Sequence, residues 1–158
     1  FNLIGPLSSP AKVKRQVVGV FDKKLLKIFA EALKNLNLKK ALIVHSQDGL
    51  DEISPYAKTD IVELTNGKIT ESILNPKDFE IKADNFENII GKGPEYNAGK
   101  IREIFEGKDS DFSIAVCLNA AAGLVVAEKS KSFRDGYQDL RKHILSGDVL
   151  NHISKLAE

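Results

Sequence analysis

The apolar pattern of the chain predicts an α/β fold: a mainly parallel sheet with an added β-hairpin, flanked by helices, and an all-helical carboxyl-terminal part. Three observations carry that expectation. Two short uncharged runs, at residues 16–21 and 41–44, are separated by a segment of helical periodicity. Asn66-Gly67 stands between two further strand-like runs. From about Glu95 the apolar spacing is helical to the end of the chain.

Gly5-Pro6 and Ser8-Ser9-Pro10 open the chain with two breaker clusters, which set backbone angles rather than a regular element. Gln16-Val17-Val18-Gly19-Val20-Phe21 carries no charge and is rich in β-branched residues, as a strand covered on both faces would be. Asp22 is placed to cap a following helix, whose Leu25, Leu26, Phe29, Leu33 and Leu36 form one stripe while Lys24, Lys27, Glu31 and Lys34 stay wet. Ala41-Leu42-Ile43-Val44 completes a strand, helix, strand unit with the usual right-handed crossover. Asn66-Gly67 tolerates the two positive-φ positions of a type I′ turn, so residues 61–65 and 68–73 should pair as a hairpin.

Residues 76–86 read as loop. A helix follows with Ile101, Ile104 and Phe105 on one face and Gly107 at its left-handed end. Residues 111–129 read as a buried helix, interrupted by Ser113 and Asn119 and too short in its apolar stretch to span a membrane. Ser132 with Asp135 resembles a capping box ahead of Phe133, Tyr137, Leu140 and Ile144, and a last short helix carries Val149, Leu150, Ile153 and Leu156. No repeat or linker divides the chain, so residues 1–158 are expected to form a single domain.

Composition removes several function classes. The chain has 158 residues, 42% of them hydrophobic and 28% charged, which excludes disorder and fibrous repeats. Its 23 Lys plus Arg against 22 Asp plus Glu leave a net charge of +1, giving no electrostatic footprint for nucleic acid or a membrane surface. The single Cys117 cannot form an internal disulfide, which points to a reducing, cytoplasmic setting. The chain has no Met and starts Phe1-Asn2-Leu3-Ile4, which is read as a cut inside a longer protein.

The strongest chemistry lies where the second strand ends. His45-Ser46-Gln47-Asp48-Gly49-Leu50-Asp51-Glu52 is polar, turn-forming and acidic, and in open α/β sheets ligands bind beyond the carboxyl ends of the strands. Asp48, Asp51 and Glu52 supply hard oxygens for a cation such as Mg²⁺ shared with substrate phosphates. Spacing alone favours a solvated acidic turn over a metal site. His45 is a candidate for a catalytic or substrate-positioning role, with a structural histidine bonded to backbone as the other reading. His143 and His152 have no partner at zinc-ligand spacing, and Cys117 reads as a buried small hydrophobe. Gly91-Lys92-Gly93 begins like a dinucleotide fingerprint, but Tyr96 occupies the third glycine position.

Several segments together resemble one family. FNLIGPLSSP at residues 1–10, KRQVVGVF at 14–21, VHSQDGLDEIS at 44–54, LNAAAGLVVA at 118–127 and SGDVL at 146–150 are similar, in order and spacing, to the carboxyl-terminal two thirds of anthranilate phosphoribosyltransferases. The resemblance implies the nucleoside phosphorylase, or class IV phosphoribosyltransferase, fold. It also implies a homodimeric enzyme of tryptophan biosynthesis that transfers the phosphoribosyl group of phosphoribosyl pyrophosphate to anthranilate, releasing pyrophosphate, with Mg²⁺. Asp51 and Glu52 take the place of the family's metal-holding Asp-Glu pair, with Asp48 and His45 as supporting candidates. Gly5 and Pro6 take the place of a turn beside the anthranilate channel. Ser8-Ser9-Pro10 departs from the family's Thr-Asn-Pro, and Ser46 from its Gly. The family's Gly-rich diphosphate loop and its helical dimerisation domain would lie upstream of Phe1, so the chain alone is expected to be inactive. A pyrimidine nucleoside phosphorylase-like enzyme, a paralogue with another acceptor, and a non-catalytic interaction module are the rival readings.

Overall fold

Two parallel strands and the helix that joins them open the fold. The computed structural model describes residues 3–81, 83 and 85–156, without the side chains of residues 154 and 156. Phe1, Asn2 and the Leu156 side chain, which figure in the sequence expectations, lie outside the described residues. β1 (Arg15–Gly19) pairs in parallel with β2 (Lys40–Ser46), Val17 opposite Leu42 and Gly19 opposite Val44. α1 (Leu25–Asn35) crosses between them and buries Leu26, Phe29, Ala30 and Leu33. Asp22 shapes the turn ahead of α1 instead of capping it: its Oδ1 accepts from the Lys24 amide at 2.9 Å, and its carbonyl accepts from Leu25. Asn37, at φ +60, ends the helix in the left-handed conformation, and the Leu38 amide reaches back to the Leu33 carbonyl.

β3 (Thr59–Thr65) and β4 (Lys68–Leu74) form the expected hairpin, with Asn66 at φ +50 and Gly67 at φ +81 as a type I′ turn requires. The hairpin is built into the sheet, whose order is β1-β2-β3-β4. β3 runs antiparallel to β2, Val44 opposite Ile61, so the sheet is mixed where a mainly parallel one was expected. The cause lies in residues 47–58. They contain no helix, and a parallel return to the same sheet needs a crossover that this loop does not supply.

Side chains alternate across the sheet with period two. Ala41, Ile43, Val62 and Leu64 face α1, while Leu42, Val44, Ile61 and Leu74 face the helical half. That half holds α2 (Pro94–Phe105), α3 (Asp111–Val126), α4 (Phe133–Leu145) and α5 (Asp148–Leu156). α3 packs Ile114, Cys117, Leu118, Ala121 and Ala122 against the sheet, with Tyr137 and Ile144 of α4 in the same cluster. It starts with a reciprocal capping box in which Ser110 and Ser113 each accept the other's backbone amide. It ends earlier than expected, at Val126, and leaves Val116 40% exposed. Gly107 does close α2 at φ +91, and Ser132 Oγ does accept the Asp135 amide at the start of α4. Among the described residues no helix is long and apolar enough to cross a membrane.

Candidate functional site

β1 ends at Gly19 and β2 at Ser46, so the parallel pair finishes on one edge of the sheet. The chain turns at once on leaving β2. Gly49 adopts φ +96, its amide donates to the Ser46 carbonyl at 3.0 Å, and the Ser46 amide donates to the Leu50 carbonyl at 2.9 Å. A side chain at residue 49 would strain that turn. The loop then passes over the end of β1, where a Cβ on Gly19 would lie 1.6 Å from the Asp51 carbonyl oxygen. Only a glycine lets the backbones approach this closely.

The three carboxylates of the loop separate into two roles. Asp48 is turned into the loop: its Oδ2 accepts from Ser54 Oγ at 2.5 Å and its Oδ1 lies 3.4 Å from the Leu50 amide. Ser54 is fully buried, and its Oγ in turn accepts from the amides of Tyr56 and Ala57. Asp51 and Glu52 are exposed and line a cleft of about 760 Å³. Among the described residues neither carboxylate has a hydrogen-bond or ion-pair partner. Two free hard-oxygen donors at a cleft edge suit Mg²⁺, which binds through one or two carboxylates and keeps its other positions for water and substrate phosphate. Among the described residues no group of three or more His, Cys, Asp or Glu converges.

Ile53, 1% exposed, anchors the chain directly after Glu52. Its amide donates to Asn119 Oδ1 at 2.9 Å, and Asn119 Nδ2 donates to the Ile53 carbonyl and to the Ala115 carbonyl, both at 3.0 Å. α3 thereby holds the loop by its backbone. Val116 and Asn119 of α3 form one wall of the cleft, and Asn97, Lys100 and Ile101 of α2 another. Lys100 Nζ donates to Glu103 at 3.0 Å, a bond that keeps the ammonium charged beyond the usual lysine range. Glu103 also accepts from Lys108 at 2.9 Å, and that bond first, then the one from Lys100, holds its carboxyl below the usual range.

His45 lies outside the cleft. Alternation along β2 puts Val44 on the cleft side and His45 on the α1 side, where Nδ1 sits 2.8 Å from the Val20 carbonyl. That is the structural role of a histidine bonded to backbone, with the ring as donor. Gly5 and Pro6 also lie elsewhere. They form a 3-10 turn, Gly5–Leu7, whose Pro6 carbonyl accepts from Gln16 Nε2 at 3.0 Å near the opposite end of β1. Pro6 borders a separate hollow with Lys12, Gln16, Leu33 and Leu38. Cys117 is buried within α3, and burial pushes its thiol up against the opposing pull of Arg141.

The sequence pattern did not point to Asn119, Asn97 or Lys100. For Asn119 a signal existed: an amide inside an apolar helix requires partners.

The model of the glycosyl transferase family, a/b domain, matches residues 1–150. The chain belongs to that family. Within it, the chain is 59% identical, over 99% of its own length, to the anthranilate phosphoribosyltransferase of Pelagibacter ubique (strain HTCC1062), of which it covers 47%. Among solved structures it is similar to anthranilate phosphoribosyltransferase from Thermus thermophilus, with a TM-score of 0.86, 32% identity, and coverage of 97% of this chain and 45% of that one. The enzyme from Saccharomyces cerevisiae in complex with 4-fluoroanthranilate follows at a TM-score of 0.83 and 25% identity, covering 96% of this chain and 44% of that one. The chain spans about half the length of the curated relatives it matches.

Proposed function

We propose that the chain is the carboxyl-terminal part of a cytoplasmic anthranilate phosphoribosyltransferase, which joins anthranilate to phosphoribosyl pyrophosphate and releases pyrophosphate. The observation that carries the reading is the pair Asp51 and Glu52. Among the described residues they have no partner at the cleft edge beyond the parallel strands, in a chain 59% identical to an enzyme of that name. The yeast relative's complex with 4-fluoroanthranilate supports anthranilate as the acceptor.

Displacement at the sugar carbon leaves negative charge on the departing diphosphate, and a rate gain requires that this charge be stabilised more in the transition state than before it. Asp51 and Glu52 would hold Mg²⁺, which would supply that stabilisation as a Lewis acid. The chain's own part is to fix the two carboxylates. Gly19 lets the Asp51 backbone lie on β1, Asp48 braces the turn through Ser54, and buried Ile53 anchors the loop that leaves Glu52. Carboxylates held in place by the fold need little reorganisation when the charge develops. The remaining surface for diphosphate, and the homodimer contact, belong in this reading to the other half of the enzyme.

The test is the double variant Asp51→Asn, Glu52→Gln in the full-length enzyme, with turnover followed by loss of anthranilate fluorescence across a Mg²⁺ titration. Turnover should fall about 100-fold, and the Mg²⁺ requirement should rise. The same rates as the parent at every Mg²⁺ concentration would overturn the assignment. The 158-residue chain assayed alone should give no turnover.

A further inference from the structure

We propose that Asn119 is a positioning residue for the Asp51–Glu52 pair, acting through the backbone of Ile53; the inference rests on the metal-holding role proposed for that pair.

Every hydrogen-bonding site that locates the Asn119 amide is used. An Asn side chain offers two N–H donors and a carbonyl acceptor. Here the acceptor takes the Ile53 amide at 2.9 Å, and the donors serve the Ile53 and Ala115 carbonyls at 3.0 Å each. The bond to Ala115, four residues back on α3, fixes the side chain on its own helix. The two bonds to Ile53 then reproduce on a loop residue the paired donor and acceptor contact that a neighbouring strand would make. Asn119 spans 66 positions of sequence to do so.

The position of the clamp gives it consequence. Ile53 directly follows Glu52, and on the other side of the pair the Asp51 carbonyl rests on Gly19. The two cleft carboxylates are therefore carried by a segment held at both ends, once by steric fit on β1 and once by two hydrogen bonds from α3. α3 is a sixteen-residue helix packed against the sheet, a firmer reference than the loop itself. Partners that orient metal ligands without touching the metal commonly change metal affinity about 10–100-fold when removed. Asn119 lines the same cleft as the pair it would position.

The experiment uses the full-length enzyme. Asn119→Ala removes both bonds to Ile53. It should raise the Mg²⁺ concentration for half-maximal rate about tenfold, while the rate at saturating Mg²⁺ returns close to the parent's. Binding of Mn²⁺ with inorganic pyrophosphate, read by electron paramagnetic resonance, should weaken by a similar factor. The Ile53 amide should exchange its hydrogen faster in the metal-free protein. Asn119→Asp is the second variant. It keeps an acceptor for the Ile53 amide but faces two carbonyls without a donor, and should shift Mg²⁺ and Mn²⁺ dependence in the same direction. A fall in melting temperature with unchanged Mg²⁺ and Mn²⁺ half-saturation would mean that Asn119 serves the fold only, and the proposal would fail. It would fail equally if neither variant folded. The double variant at Asp51 and Glu52, measured alongside, separates the two claims. If it leaves Mn²⁺ binding unchanged, the metal-holding role itself is wrong; if it weakens binding and the Asn119 variants do not, only the positioning role is wrong.

Discussion

A methyl group on residue 19 would lie 1.6 Å from the Asp51 carbonyl oxygen, a distance no rotamer change can relieve because both atoms belong to backbone-fixed positions. Gly19→Ala must therefore push the acidic loop off β1. Forcing extra volume into a packed site costs about 1–3 kcal/mol, and urea unfolding at constant slope would read it as a lowered midpoint. The same variant should raise the Mg²⁺ requirement of the full-length enzyme, since the displaced atom is the Asp51 backbone. A parent-like midpoint and a parent-like Mg²⁺ requirement together would show that the loop does not rest on β1. At this scale the acidic loop was legible as chemistry but not as a division of labour. Its three carboxylates look alike until Ser54, folded back and buried, takes one of them. His45 was ambiguous for the same reason: the Val20 carbonyl that accepts its ring comes from a different strand end, which no local spacing announces.

Elements set by neighbouring residues were readable, and elements set by distant ones were not. Asn66-Gly67 specifies its turn with two backbone angles, so the hairpin emerged at nearly its true length. The direction of β3 against β2 depends on a loop with no helix, and a single chain of apolar runs does not encode that. α3 was visible as a long apolar helix, yet its high apolar content hid the face that carries Val116 and Asn119 to the cleft. Its start at Asp111 was read correctly, but its cap was not, because the capping pair is Ser110 with Ser113 in place of the more familiar Ser with Glu or Gln. Ser110→Ala removes the acceptor for the Ser113 amide at 3.2 Å. Losing such a cap costs about 1 kcal/mol, or about 2–4 °C in Tm for a chain of this size. Calorimetry that shows no shift would mean that α3 draws nothing from its cap. Because Arg141 Nη1 also donates to Ser113 Oγ at 2.8 Å, the loss should be transmitted to the packing of α4.

At the scale of the whole molecule, ion pairs between elements and buried ionisable groups should bound stability from opposite sides of the pH range. Arg15 of β1 bonds to Glu128 just beyond α3, and this bond above all holds the Glu128 carboxyl below its usual range. Glu103 is lowered by Lys108 and Lys100. A carboxyl whose folded value lies below its unfolded value binds fewer protons when folded, so stability grows as pH rises. That contribution is complete above the ordinary carboxylate range and is lost as pH falls through the lowered folded values. Cys117 and Tyr137 act in the reverse sense, since burial raises both. Their neutral forms are favoured in the fold, so their contribution is complete below the ordinary thiol and phenol ranges and is lost as pH climbs through the raised folded values. Urea midpoints measured from acid to alkaline pH should therefore trace a plateau with a fall at each end. Two variants assign the limbs. Glu128→Gln should flatten the acid limb and leave the alkaline one intact. Tyr137→Phe keeps the ring in the cluster beneath α4 but removes the phenol, so it should flatten the alkaline limb while changing little at neutral pH. If Tyr137→Phe left the alkaline limb as steep as before, burial of that phenol would not be what limits the fold there, and the alkaline fall would have to be traced to the other groups raised in the fold, Cys117, Lys100 and Arg141.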